Sequence, residues 1–216
     1  MSAIALAVVL AIGFSLFWAS PAAYEDILGG DVPVQLTLRS TGERVTPIRP
    51  ITVIHREWVD YVTGRSEVQA QGDWFTDDER RHMADVRQVF IAAQFVALAA
   101  LVALIAVSLR AYRRGRLARL LRSAAGGVAA AIVLVGVLAA VSFDAAFLLF
   151  HQVLFPQGNF LFAPGSNLLV VYPDAYWYGI TIRIAVSILI VALGTAVAAH
   201  LALRAEGARS AIVTSR

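Results

Sequence analysis

Residues 89–109 read VFIAAQFVALAALVALIAVSL, residues 110–123 read RAYRRGRLARLLRS, and residues 124–143 read AAGGVAAAIVLVGVLAAVSF. Two uncharged runs flank a segment that holds Arg110, Arg113, Arg114, Arg116, Arg119 and Arg122 and no acid. In lipid a backbone must satisfy its own hydrogen bonds, and about 20 helical residues cross roughly 30 Å of hydrocarbon. Arginine-rich connections stay on the cytoplasmic side. The stretch therefore predicts a membrane hairpin whose turn faces the cytoplasm. A nucleic-acid surface is the other source of such a run, but an arginine segment between two spans is a topology signal, so no nucleic-acid partner is expected.

Working outward, Ala3 to Ala19 and a run from about Ile180 to Leu201 supply two further apolar helices. The expected fold is an all-α polytopic membrane protein with four transmembrane helices. A small α+β extracytoplasmic domain lies between the first and second, and an aromatic interfacial loop between the third and fourth. The segments are 1–19 (first helix), 20–88 (extracytoplasmic domain), 89–109 (second helix) and 110–123 (cytoplasmic Arg-rich loop). They continue as 124–149 (third helix with its outer extension), 150–179 (interfacial loop), 180–201 (fourth helix) and 202–216 (cytoplasmic tail). The tail adds Arg204, Arg209 and Arg216 against Glu206, whereas 20–88 carries eight arginines against twelve acids, so the net charge of +3 conceals a polarised chain. This places both termini in the cytoplasm of a multi-pass plasma-membrane protein. Ser20-Pro21-Ala22-Ala23 resembles a signal-peptide cleavage region, but a long apolar run without a preceding basic residue favours retention of the first helix.

Within 20–88, Val32, Val34, Leu36 and Leu38 alternate with polar residues and predict a short strand, with Pro33 favouring an edge. Ser40 to Glu43 reads as a turn. Ile51, Ile54, Trp58 and Tyr61 recur at helical spacing and predict a helix over 51–62. Thr76-Asp77-Asp78-Glu79 is a capping-box signature, so a helix should begin near Asp77 and run into the second span.

The composition, 59% hydrophobic and 15% charged, contains no cysteine and no lysine, since all 18 basic residues are arginine. Thiol nucleophiles, disulfides, thiolate metal sites, Schiff bases and Walker-type phosphate sites are thereby excluded. No Gly-Xaa-Ser-Xaa-Gly elbow occurs. The four histidines are the side chains that titrate near neutrality. His200 reads as a polar anchor at a helix end, and His55, beside Arg56 and Glu57, as a surface or packing residue. His82 and His151 lie on separate segments at the same outer-leaflet depth, with Asp78, Glu79 and Asp85 within four residues of His82, and Asp144 seven residues before His151. Either the pair acts on a substrate, or each caps a helix end at the interface. Arg183 must pair with an acid, Asp144 being the candidate, or contact a phosphate or oxyanion. Close-spaced histidine motifs are missing, so neither a metal nor a cofactor is expected.

The run Glu79-Arg80-Arg81-His82-Met83-Ala84-Asp85-Val86, entering a membrane helix, carries a resemblance. So does Phe150-His151-Gln152-Val153-Leu154-Phe155 with Asn159-Phe160-Leu161-Phe162 and Tyr172-Pro173-Asp174 downstream. Together they resemble the family of small four-helix integral membrane proteins that includes the lipoprotein intramolecular transacylase Lit. This sequence departs from that pattern at Leu154, where Phe is common, and at Phe160, where Trp is common. The resemblance implies an O-to-N acyltransferase that moves the sn-2 acyl chain of a diacylglyceryl lipoprotein to its N-terminal cysteine amine. It implies His82 and His151 as the catalytic pair. Glu79, Asp85 and Asp144 are then candidates to orient or support them, Arg183 to contact a phosphate or oxyanion, and Phe150, Phe155, Phe160 and Phe162 to form the lipid-facing pocket. Expected partners are membrane lipids and the lipoprotein substrate. A lipid or lipoprotein ester hydrolase using the same residues and a non-catalytic membrane scaffold or sensor are the alternatives.

Overall fold

Glu79 N donates to Thr76 Oγ1 (3.2 Å) and Thr76 N donates to Glu79 Oε2 (2.7 Å), closing the capping box in both directions. The computed structural model describes residues 2–214, without the side chains of Ala140 and 209–214; Arg216 lies outside the described residues. From that cap a single helix runs without a break from Asp77 to Arg113. In chain order the elements are α1 (Ser2–Trp18), α2 (Pro21–Ile27), β1 (Leu36–Thr37), β2 (Arg44–Val45), α3 (Ile51–Val62) and α4 (Asp77–Arg113). They continue with α5 (Leu117–Val141), α6 (Phe143–Leu154), α7 (Asn167–Val171) and α8 (Asp174–Thr214). Among the described residues α4, α5 and α8 are long and apolar enough to cross a membrane, and α1 with α2 makes a fourth candidate if that bent pair is one span. The chain is a multi-pass membrane protein.

Several expected boundaries move. Pro21 starts α2 within the stretch that resembles a signal-peptide cleavage region, because proline at the first helical position costs no hydrogen bond. The strand over 32–38 shrinks to Leu36–Thr37, which pairs antiparallel with Arg44–Val45. The arginine segment is mostly helical, with Gly115 at φ +61° making the turn between α4 and α5. The third helix breaks at Ser142 (φ −156°, ψ 85°) and resumes as α6. The 150–179 connection is not one loop: α6 reaches Leu154, α7 follows, and α8 begins six residues early at Asp174. There Pro173 O accepts from Tyr176 N (2.9 Å), so proline opens the helix rather than interrupting it.

The chain divides into two compact units. The first, residues up to 14 with 95–140 and 184 onward, is helical among its described residues except for the turn at 114–116. Val128, Ala129, Ile188 and Ala192 are buried at its centre, with Leu6, Leu10 and Phe14 packed against them. Small residues there let helices approach where lipid supplies no hydrophobic drive. Leu98, Val102, Leu134, Leu138, Ile190 and Val197 are exposed, as lipid-facing side chains must be.

The second unit, 15–94 and 141–183, holds the polar chemistry. In α3, Ile51, Ile54, Trp58 and Tyr61 are buried as the periodicity predicts, and Trp58 meets Phe75 edge-on at 5.0 Å. Asn167 closes the free edge of β1: its Oδ1 accepts from Thr37 N (2.9 Å), and its Nδ2 donates to Thr37 O (2.7 Å) and Trp74 O (2.6 Å). Leaving three part-buried backbone groups without their partner is costly. Asn167→Ala is expected to lower the thermal unfolding midpoint by the equivalent of about 2–4 kcal/mol. Leu169→Ala, at a partly exposed neighbour, is the control. Equal midpoints for the two variants would remove this role for Asn167.

Candidate active site

Two helices bring the histidines together. His82 lies one turn after Glu79 on α4 and His151 near the end of α6, and their rings stack at 24° with centroids 6.4 Å apart. Both are buried. His151 Nδ1 is 2.9 Å from Phe147 O. A carbonyl can only accept, so Nδ1 carries the proton in the neutral ring and Nε2 keeps a lone pair free. His82 Nδ1 is buried without a hydrogen-bond partner.

Aromatic rings enclose the pair. Phe155 and Phe162 lie 4.8 and 5.5 Å from His82, centroid to centroid. Phe147, Phe160 and Phe155 lie 4.1, 5.3 and 5.8 Å from His151, and Trp177 closes the side at 6.4 Å. Phe150 touches His151 at 5.5 Å while more than half exposed, so it rims the cage rather than lining it. In these surroundings the charged imidazole is poorly solvated. Burial, and then the charge of His151, pushes His82 down to about 4. Burial lowers His151 as well, against the opposing pull of the Phe147 carbonyl.

The carboxylates divide their roles. Asp85 accepts from Gln157 Nε2 (3.0 Å) and from Asn159 Nδ2. Because a carboxylate only accepts, this fixes which end of the Asn159 amide faces Asp85. Asn159 and the Asp85 charge both favour the protonated form of His82, and Asn159 Oδ1, like His82 Nδ1, is buried without a hydrogen-bond partner. Glu79 does something else: besides its cap, it accepts from Ser166 Oγ and Leu168 N (3.0 Å), docking the 159–168 segment on α4. Asp144 is exposed in the first turn of α6. It does not pair with Arg183, whose Nη2 and Nε reach Asp26 Oδ2 at 3.0 and 3.2 Å and whose Nη2 also donates to Asp26 O. Arg183 thus ties α8 to α2, with Trp18 under its guanidinium at 5.8 Å.

His55 is fully buried, stacked on Tyr24 at 4.2 Å with Nδ1 3.2 Å from the Tyr172 hydroxyl, so it is a core residue and not a surface one. His200 is exposed on α8. From the sequence, Asn159 and Phe147 have no role at the site, and Trp177 has only a place among the aromatic residues of the interfacial loop. Phe147 was legible at four residues before His151, and Asn159 stood within a quoted motif.

The sequence model of the family described as lipoprotein intramolecular transacylase Lit matches residues 44–177. The chain belongs to the Lit family. The match includes both histidines, Glu79, Asp85, Asn159 and the aromatic cage, and stops before Arg183. Solved structures of the membrane integral lipoprotein intramolecular transacylase Lit from Bacillus cereus share this fold. One has 17% identity and a TM-score of 0.68, with 97% of this chain and 96% of that chain covered. Two others carry a histidine replaced by arginine or by alanine. They give 17% and 16% identity and TM-scores of 0.64 and 0.66, with 97% and 94% of this chain and 93% of each of those chains covered. No curated protein sequence matches.

A histidine whose folded pKa is depressed resists protonation that the unfolded chain accepts. His55 and His82, each near 4, and His151, also lowered, therefore make the Lit-family fold lose stability as pH falls from about 6.5 towards 4. Above that window the three are neutral in both states and the effect is absent. Thermal unfolding midpoints measured across it should fall with pH, and His82→Gln should flatten the slope. An unchanged slope in Gln variants of all three would refute the assignment.

Proposed function

We propose that this protein is a membrane-embedded lipoprotein intramolecular transacylase, with His82 and His151 as its proton carriers on the extracytoplasmic face and both termini in the cytoplasm. The observation that carries the proposal is the stacked, caged histidine pair within the segment that matches the family. The bonds balance within one substrate molecule. The neutral α-amine of the N-terminal cysteine attacks the sn-2 ester carbonyl, a C–N bond forms, the C–O bond to glycerol breaks, and one proton moves from nitrogen to the leaving oxygen. The products are an N-acyl cysteine and a lyso-glyceryl group.

An α-amine with a pKa near 8 is partly neutral at physiological pH, so its activation asks little of the protein. One histidine accepts the ammonium proton as the C–N bond forms, that proton passes to the other ring, and this second ring delivers it to the sn-2 alkoxide as the C–O bond breaks, so both rings end neutral. For His151 the working nitrogen is Nε2, because Nδ1 is held by the Phe147 carbonyl. Asp85 and Asn159 support the cationic form of His82, and Glu79 holds the segment that carries Asn159. Phe155, Phe160 and Phe162 shelter the acyl chains and exclude water, the nucleophile of the competing hydrolysis. Holding amine and ester together replaces a bimolecular encounter by a unimolecular one. Arg183, committed to Asp26, takes no part in this scheme.

His82→Ala and His151→Ala should each reduce conversion of a diacylglyceryl lipopeptide by about 10²–10⁴-fold while the protein stays folded. Mass spectrometry of lipoprotein N-terminal peptides reads the result directly. N-acylated lyso product supports the transfer, free fatty acid with an unmodified amine identifies a hydrolase, and full conversion by both folded variants removes the histidine mechanism.

A further inference from the structure

Beside the histidine pair, within the same unit, lies a cleft of about 480 Å³. It shares Asn159 and Phe162 with the site: Asn159 donates to Asp85, and the Phe162 ring is 5.5 Å from His82. Its other walls include Asp78, Arg81, Arg39 and Leu161. Along α4 the apolar run begins at Val89, on one side of His82, and Asp78 lies on the other side, about 6 Å away along the axis. The cleft therefore opens at the polar end of the helix. Its rim is charged but self-neutralised, with Arg39 bound to Asp77 and Arg81 to Asp78, all well exposed. An acyl chain would have to desolvate this rim, and an anionic headgroup would find its arginines already paired. A polypeptide, which carries both a polar main chain and apolar side chains, suits a largely apolar cleft with a charged rim of mixed sign.

We infer that this cleft holds the polypeptide of the lipoprotein substrate, namely the residues immediately after the acylated cysteine. The inference rests on the transacylase reading. With the lipid chains on the apolar side and the cysteine amine at the histidines, the peptide leaves along the polar end of α4. An extended chain advances about 3.3–3.6 Å per residue, so the second to fourth residues after the cysteine lie in the cleft.

The absence of native cysteine makes the inference directly testable by thiol trapping. Leu161 is 75% exposed on the cleft wall, and Ile48, fully exposed, is outside it. The full-length Leu161→Cys and Ile48→Cys proteins are incubated with synthetic diacylglyceryl lipopeptides. Each lipopeptide carries one nitrobenzoate-activated cysteine at a residue from the second to the tenth after the lipidated one, and disulfide exchange releases the nitrobenzoate thiolate. Leu161→Cys should trap the second-to-fourth-residue probes about tenfold faster than Ile48→Cys, because a bound thiol acts at millimolar effective concentration. It should trap the eighth-to-tenth-residue probes no faster than that control. Equal trapping by both variants, or trapping independent of probe position, overturns the inference. N-acyl product from the unmodified protein is scored separately: product without selective trapping overturns the cleft and leaves the transacylase reading, whereas selective trapping without product supports the cleft and counts against the reading.

Discussion

The buried carboxylate of Glu79 receives four donors, Thr76 N, Thr76 Oγ1, Ser166 Oγ and Leu168 N, and so fills its lone-pair positions. A carboxylate withdrawn from water is tolerated only when it is compensated in this way. One oxygen serves the local cap and the other reaches nearly ninety residues along the chain to α7. The same side chain thus starts α4 and sets the register of the 159–168 segment against it. Asn159, Phe160 and Phe162 take their places around the histidines from that register. Asn167, next to the clamp, closes the β1 edge, so the small sheet depends on the same docking.

Burial of the histidines creates a tension that the polar neighbours moderate. The aromatic cage makes an imidazolium costly, which keeps both rings neutral and able to accept a proton. A ring that could never hold the proton would be useless for transfer. Asn159 and Asp85 work against the cage at His82, and the Phe147 carbonyl does so at His151. Each histidine therefore has an apolar wall and polar support, as the proposed proton transfer requires.

How much of this was legible follows from distance along the chain. The capping box needs only a three-residue spacing, and α3 needs only its amphipathic period; both could be read directly. The same period also placed His55 on the buried face, four residues after Ile51, although its charged neighbours suggested a surface. Asn159 reaches Asp85 across 74 residues, and Arg183 reaches Asp26 across 157. No periodicity reports such pairs. Asp144 seemed the natural partner for Arg183 because both fall near outer helix ends. The break at Ser142 and the early helix α2 supply a different acid. The 150–179 segment reads as an interfacial loop, yet proline at a helix start is compatible with helix, which is why α8 begins at Asp174.

The absence of lysine bears on the chemistry as much as on the topology. An amine of the protein placed among those aromatic rings would compete for the acyl group, and a thiol would trap it. Arginine satisfies the cytoplasmic charge requirement without offering either, since its guanidinium stays protonated and is a poor nucleophile. In the proposed reaction, with no cysteine or lysine in the chain, the substrate itself brings the acyl-accepting amine. That requirement is why an intramolecular transfer suits this site better than transfer through a lysine or cysteine acyl-enzyme. In that scheme the donor ester and the acceptor amine enter together, and the protein supplies enclosure, orientation and a route for one proton.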